Sequence, residues 1–181
     1  MNTTTPGLRS TSQTLVTSGM FSKQADASWA LASMPLIPDV FFPSFVVETG
    51  LSESVARLRR DAKAWLETAG SRAGLAVTID VNRSHPRIVI RKWEKEQFQR
   101  RRVTRAAPLG VIMKANMTGE TIISRLPNGG HKHVSNALTL PFDGIFLRAP
   151  NLAANLQERD FIFSHQELQR LADDAWDSQG F

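Results

Sequence analysis

The chain has 181 residues, 22 basic and 17 acidic side chains, 41% hydrophobic positions and no cysteine, the composition of one ordinary globular domain and not of a fibre or a disordered chain. The absence of cysteine excludes a disulfide scaffold, a thiolate metal site and a cysteine nucleophile, and it points to a reducing, intracellular compartment, cytoplasmic or nuclear. The longest uncharged apolar run, Val40 to Val47, is broken by Pro43 and Ser44, whereas a bilayer crossing needs about 20 residues, so no membrane partner is expected. The net charge of +5 is local. Arg91, Lys92, Lys95, Arg100, Arg101, Arg102 and Arg105 stand against only Glu94 and Glu96 in that segment, and the rest of the chain is balanced.

Residues 1–34 read as a flexible tail rich in Ser and Thr, with no apolar core for a secretory signal and few bases for a transit peptide. Within it, Asp26 to Met34 is compatible with a short helix ended by Pro35, because the residue before proline avoids the helical region. A single α/β domain is expected over 35–181. Phe45-Val46-Val47-Glu48 is a short β-prone run with Glu48 as its last residue, and Thr49-Gly50-Leu51-Ser52 breaks it. Ser52 as N-cap opens a helix whose apolar residues Val55, Leu58, Ala62, Trp65, Leu66 and Ala69 recur at helical spacing until Gly70.

Leu75, Val77, Ile79 and Val81 then alternate as a strand, and Asn82 to Pro86 turns the chain into an antiparallel partner running from Ile88 to Trp93. The first strand, the helix and the strand after it make a βαβ unit whose strands are parallel neighbours. Val111 to Asn116 and Thr121 to Leu126, flanking Met117-Thr118-Gly119-Glu120, read as a second hairpin. Ala137 to Pro141 and Phe161 to Phe163 are short strands, and Ser164 caps a final helix. The fold class is therefore α/β with a mixed sheet, a βαβ unit plus antiparallel strands.

Ligands of such sheets gather at the carboxyl ends of the parallel strands. Glu48 and Asp80 belong to that end, and two carboxylates there can hold a divalent cation, most naturally magnesium. A plainer reading stays open, in which Glu48 supports the start of the following helix and Asp80 opens a turn. On the helix, Asp61 lies about 85° from the centre of the apolar face and Lys63 about 115°, so Asp61 is the better placed to point inward.

Pro43-Ser44-Phe45-Val46-Val47-Glu48, then Ser52-Glu53-Ser54, Leu58, Asp61, Lys63 and Trp65-Leu66, resembles a motif pattern of the PD-(D/E)XK nuclease superfamily, in particular the Uma-type putative restriction endonucleases and their fungal relatives. The resemblance spans about Pro38 to Trp93. It implies a restriction-endonuclease-like core and magnesium-dependent hydrolysis of DNA phosphodiesters. Glu48 matches the acid of the half-motif and Pro38-Asp39 matches its PD. Gly50 stands where a lysine is usual, and Lys63 on the helix is its substitute, as in the Uma-type branch. The implied catalytic set is Glu48, Asp39 and Lys63, and the implied metal set is Glu48, Asp39 and Asp80.

Asp39, nine residues before Glu48, reaches it only if the chain turns at Pro43-Ser44, because a straight chain would put about 30 Å between them. In the basic segment, Lys95, Arg100, Arg101, Arg102 and Arg105 suit a polyphosphate partner by counterion displacement, and Trp93 and Phe98 suit base stacking. A solvated loop or a nuclear-localisation signal is the plainer reading of the same charges. The alternative function is a catalytically inactive nuclease-fold module that binds nucleic acid or a protein through this segment. A structural subunit that forms a homodimer is a third.

Overall fold

Eleven strands and three helices follow one another in the computed structural model, which describes residues 7–12, 14–34, 42–51, 54–99, 111–125, 132–153 and 155–181. In chain order they are β1 (Leu8–Ser10), β2 (Val16–Ser18), β3 (Phe21–Lys23), β4 (Ala27–Leu31), β5 (Phe45–Leu51), α1 (Val55–Glu67), β6 (Leu75–Val81), β7 (Arg87–Gln99), β8 (Val111–Arg125), β9 (Lys132–Val134), β10 (Leu138–Leu140), α2 (Phe142–Phe146), β11 (Phe161–Phe163) and α3 (His165–Gln179). Seven strands form the central sheet in the order β1-β4-β5-β6-β7-β8-β9. Among the described residues only β5 and β6 pair in parallel, joined through α1, and every other pairing in the sheet is antiparallel. The expected βαβ unit is thus present inside a mostly antiparallel α/β sheet.

The two faces of the sheet carry different cores. Phe45, Val47, Leu75, Val77, Ile88 and Ile90 face α2 and α3, packing against Phe142, Ile145, Leu168 and Trp176. Val46, Ala76 and Trp93 face the other way, onto Ala62, Trp65 and Leu66 of α1. Alternation along each strand sends neighbouring residues to opposite faces. The small side chain of Ala76 lets the helix lie close, and Trp65, fully buried, fills the space beside it. α1 begins where the Ser54 hydroxyl accepts the Arg57 N–H, which satisfies one of the orphan donors of the first turn. Ser52, the expected cap, lies outside the described residues.

Three expectations are corrected. Residues 8–31, expected to be a flexible tail, supply four strands, two of them in the central sheet. Nor is there a helix after Asp26. Ser28 and Ala30 are buried on the α1 side, whereas Trp29 and Leu31 pack on the opposite core, a period of two and not of 3.6. The second hairpin is also absent, because β8 runs unbroken through Met117-Thr118-Gly119-Glu120 against β7. Gly119 pairs with Lys92 and Met117 with Trp93, so Thr118 is the extra residue of a β-bulge and not part of a turn.

Candidate active site

Glu48 sits in the middle of β5, three residues before the strand ends, which corrects its expected place at the terminus. It points to the α1 face and is 94% removed from solvent, with a relative exposure of 6%. A buried carboxylate must be hydrogen-bonded or paired. Here Oε1 accepts the indole N–H of Trp65 and lies 3.1 Å from the Lys23 ammonium. The same ammonium is 2.8 Å from Oδ1 of Asp61 on α1. Burial pushes the Glu48 carboxyl above its ordinary value, and the Trp65 N–H and Lys23 pull against that without cancelling it. Burial acts on Lys23 in the opposite sense, but the bonds to Asp61 and Glu48 outweigh it and hold its pKa above the usual lysine value.

A third carboxylate completes the cluster. Asp26 stands one residue before the Ala27–Val47 pair that ends the antiparallel β4–β5 ladder, close enough for its charge to act on Glu48. Its Oδ2 accepts the Thr49 N–H at 2.6 Å, and its negative charge adds to the upward pull on Glu48. Asp26 is exposed, Lys23 and Asp61 are partly exposed at 22% and 23% of their side chains, and Glu48 forms the floor. The arrangement is a shallow acidic hollow with one ammonium in it.

Of the residues expected from the sequence, Glu48 takes part in this hollow and Asp39 lies outside the described residues. Lys63 is half-buried, and among the described residues no ion pair joins it to Glu48, whose cation is Lys23 instead. The reason is rotational: α1 turns Leu58, Ala62 and Trp65 to the sheet, which puts Asp61 next to the inward stripe and Lys63 farther round. Asp80 shares the face and the neighbouring strand with Glu48, its register partner on β5 being Gly50. It belongs to another cluster, however: Arg91 Nη1 lies 3.7 Å from Asp80, and Arg91 Nε donates to Glu120 Oε2 at 2.7 Å.

The described part of the basic segment is largely compensated. Arg91 is held by Asp80 and Glu120, Lys92 lies 3.6 Å from Glu94, and Lys95 donates to the Ser71 carbonyl at 2.6 Å. Burial lowers the Lys95 pKa. Lys95 also lines a groove of about 480 Å³ between the end of α1 and β8, with Met113 and Lys114. Trp93 is buried and gives its indole N–H to Thr78, which removes it as a stacking platform. Phe98 stays exposed, under the Lys114 ammonium at 5.5 Å. Arg100, Arg101, Arg102 and Arg105 lie outside the described residues.

Comparison with family models, with curated proteins and with solved structures finds no match to this chain. The chemistry of the hollow is therefore read from its own groups. Among the described residues no three His, Cys, Asp or Glu side chains are arranged to hold a metal ion. Magnesium keeps several of its waters and is commonly bound through one or two carboxylates together with substrate phosphates. Asp26 and Glu48 are two carboxylates close enough for the charge of one to act on the other. Lys23 and Asp26 carry no sequence motif that singles them out. The available signal was the alternation Asp26, Ser28, Ala30 against Ala27, Trp29, Leu31, which marks a strand entering beside β5.

Proposed function

We propose that this chain is a nuclease-like protein with a restriction-endonuclease-like core, hydrolysing DNA phosphodiesters at the hollow formed by Asp26, Glu48 and Lys23. The observation that carries the reading is that Asp26, just before β4, accepts the N–H of Thr49, the residue after Glu48, with a lysine ammonium 3.1 Å from the buried acid. These are the residue types that the superfamily's motif demands, with Asp26 in the role expected of Asp39 and Lys23 in that expected of Lys63.

Asp26 and Glu48 would hold a magnesium ion. When bound, such an ion polarises a phosphate oxygen and lowers the pKa of attacking water. The chain's own contributions are distinct. Trp65 and β5 fix the Glu48 carboxylate, so its orientation costs little at the moment of reaction. Asp26, exposed at the rim, is the acid that a substrate meets first. Lys23 supplies a compact positive charge that suits the extra negative charge developing on a phosphate under attack.

A second reading is favoured by a specific contact. The Lys23 ammonium already lies on the Glu48 oxygen, so that carboxylate is paired as it stands, as in a non-catalytic module that only binds nucleic acid. One experiment separates the two: cleavage of plasmid and single-stranded DNA with magnesium or manganese, by the wild-type chain beside Asp26→Asn and Glu48→Ala. The nuclease reading expects cleavage that falls by about a hundredfold or more in each variant. Folded wild-type protein that binds DNA and cuts none of it with either metal refutes the nuclease reading and leaves the binding module.

A further inference from the structure

Strands β7 and β8 run on past the rest of the sheet. β6 starts at Leu75, which pairs with Glu94, so from Lys95 to Gln99 the partner of β7 among the described residues is β8 alone. Helix α1 stops at Glu67 near the same level, and Gly70, at a φ of +79°, turns the chain away. Between the helix end and the two-stranded extension lies the groove of about 480 Å³, a volume typical of small-molecule sites. Leu66, Ile112 and Met113 give it apolar walls, and the turn from Thr68 to Ser71 closes one side.

Lys95, half-buried, lines this groove and differs from the other lysines in its surroundings. Lys23, Lys92 and Lys132 each have a carboxylate partner. Among the described residues no carboxylate pairs with Lys95, and its ammonium donates to the Ser71 carbonyl at 2.6 Å. The other charged groups along the groove are Glu67 of α1, whose Oε1 accepts the Ala115 N–H at 2.9 Å, and Lys114 of β8, whose ammonium lies over the Phe98 ring. The hydroxyls of Thr68 and Ser71 are also engaged, donating to the Ala64 and Trp65 carbonyls. The nucleophile that the groove offers is therefore the amine. An ammonium has three N–H donors to satisfy, whereas a neutral amine keeps the Ser71 bond through one N–H and has a lone pair to spare. Burial lowers the Lys95 pKa accordingly, which raises the share of free amine at a given pH.

We propose that Lys95 is a reactive amine and that the groove binds a small aldehyde with an apolar body, held there as a Schiff base. The nitrogen lone pair forms a bond to the carbonyl carbon, and one N–H proton passes to the carbonyl oxygen to give a carbinolamine. The second N–H proton leaves with that hydroxyl as one water, and a C=N bond replaces the C=O, with nothing oxidised or reduced. Once protonated, the imine keeps one N–H for the Ser71 carbonyl. Desolvation beside apolar walls is what activates a lysine for this step. The site uses none of the groups of the acidic hollow.

The test is reductive labelling of the full folded chain at neutral pH with benzaldehyde and sodium cyanoborohydride, which traps each imine as a stable benzylamine located by peptide mass spectrometry. Lys95 is expected to be labelled about tenfold faster than the other five lysines. Formaldehyde, too small to gain from the apolar walls, is expected to show a much smaller preference. Met113→Trp, an exposed position that fills the groove, is expected to abolish the benzaldehyde preference and to leave formaldehyde labelling unchanged. Lys95 labelled no faster than the other lysines, or with the same preference by both aldehydes, overturns the proposal. So does a benzaldehyde preference that survives in folded Met113→Trp. If that variant does not fold, the comparison of the two aldehydes on the unaltered chain decides.

Discussion

Glu48 is a buried acid whose neighbourhood leaves it short of full compensation: burial raises its carboxyl, and the Trp65 and Lys23 contacts only partly offset that. A carboxyl raised above its unfolded value binds its proton more tightly in the folded chain. Its contribution to stability is therefore present at pH below the ordinary glutamate range and is lost as pH rises through the folded value. Glutamine mimics the protonated acid and still accepts from Trp65, so Glu48→Gln is expected to lie within about 1 kcal/mol of wild type and to compare better with it at pH 7 than at pH 4. Glu48→Ala strands the Trp65 N–H in a closed core and is expected to cost about 1–3 kcal/mol. Urea unfolding at the two pH values checks both. Equal effects of alanine and glutamine would mean that the Trp65 bond contributes nothing.

At the scale of elements, β6 and α2 meet more closely than side chains allow. A Cβ built on Gly74, just before β6, would lie well inside van der Waals contact with the Gly144 carbonyl oxygen and 2.8 Å from Cδ2 of Leu147. Backbone cannot yield there, because the Gly74 N–H is bonded to the Ser44 carbonyl at 2.9 Å, which ties β6 to the entry of β5. Gly74→Ala is expected to cost about 1–3 kcal/mol by overpacking, read as a lower thermal midpoint. Gly70→Ala is strained for a different reason, a φ of +79° after α1 with open space around it, and so separates the two causes. Helix α1, with apolar residues at 58, 62, 65 and 66, was legible because its period needs no partner to be seen. β8 was not: a Gly-containing stretch in mid-strand looks like a turn until the bulge opposite Lys92 and Trp93 absorbs it.

For the whole molecule, the N-terminal strands decide whether the edge of β5 is covered. β4 covers the outer edge of β5, and β1 covers β4. Trp29 stacks on Phe45 at 5.1 Å, and Ser44 donates its backbone N–H to the Trp29 carbonyl at 2.9 Å. A chain starting at residue 35 would bare the edge of β5, lose Lys23 and Asp26 from the hollow and uncover part of both cores. Such a chain is expected to lose its cooperative thermal transition. A truncated chain that keeps the wild-type midpoint would mean that β1 to β4 are dispensable.

Local pattern alone determined the βαβ unit, the inward stripe of α1 and the hairpin of β6 with β7, because each rests on a period or a spacing within one stretch of chain. Only the tertiary structure decided which charges meet. Lys23, Asp26, Glu48 and Asp61 come from a separate hairpin, the residue before β4, the middle of β5 and a helix. Their meeting depends on the β4–β5 register and on the rotation of α1 over the sheet. Both are set by packing between segments distant in sequence, which composition and periodicity do not encode.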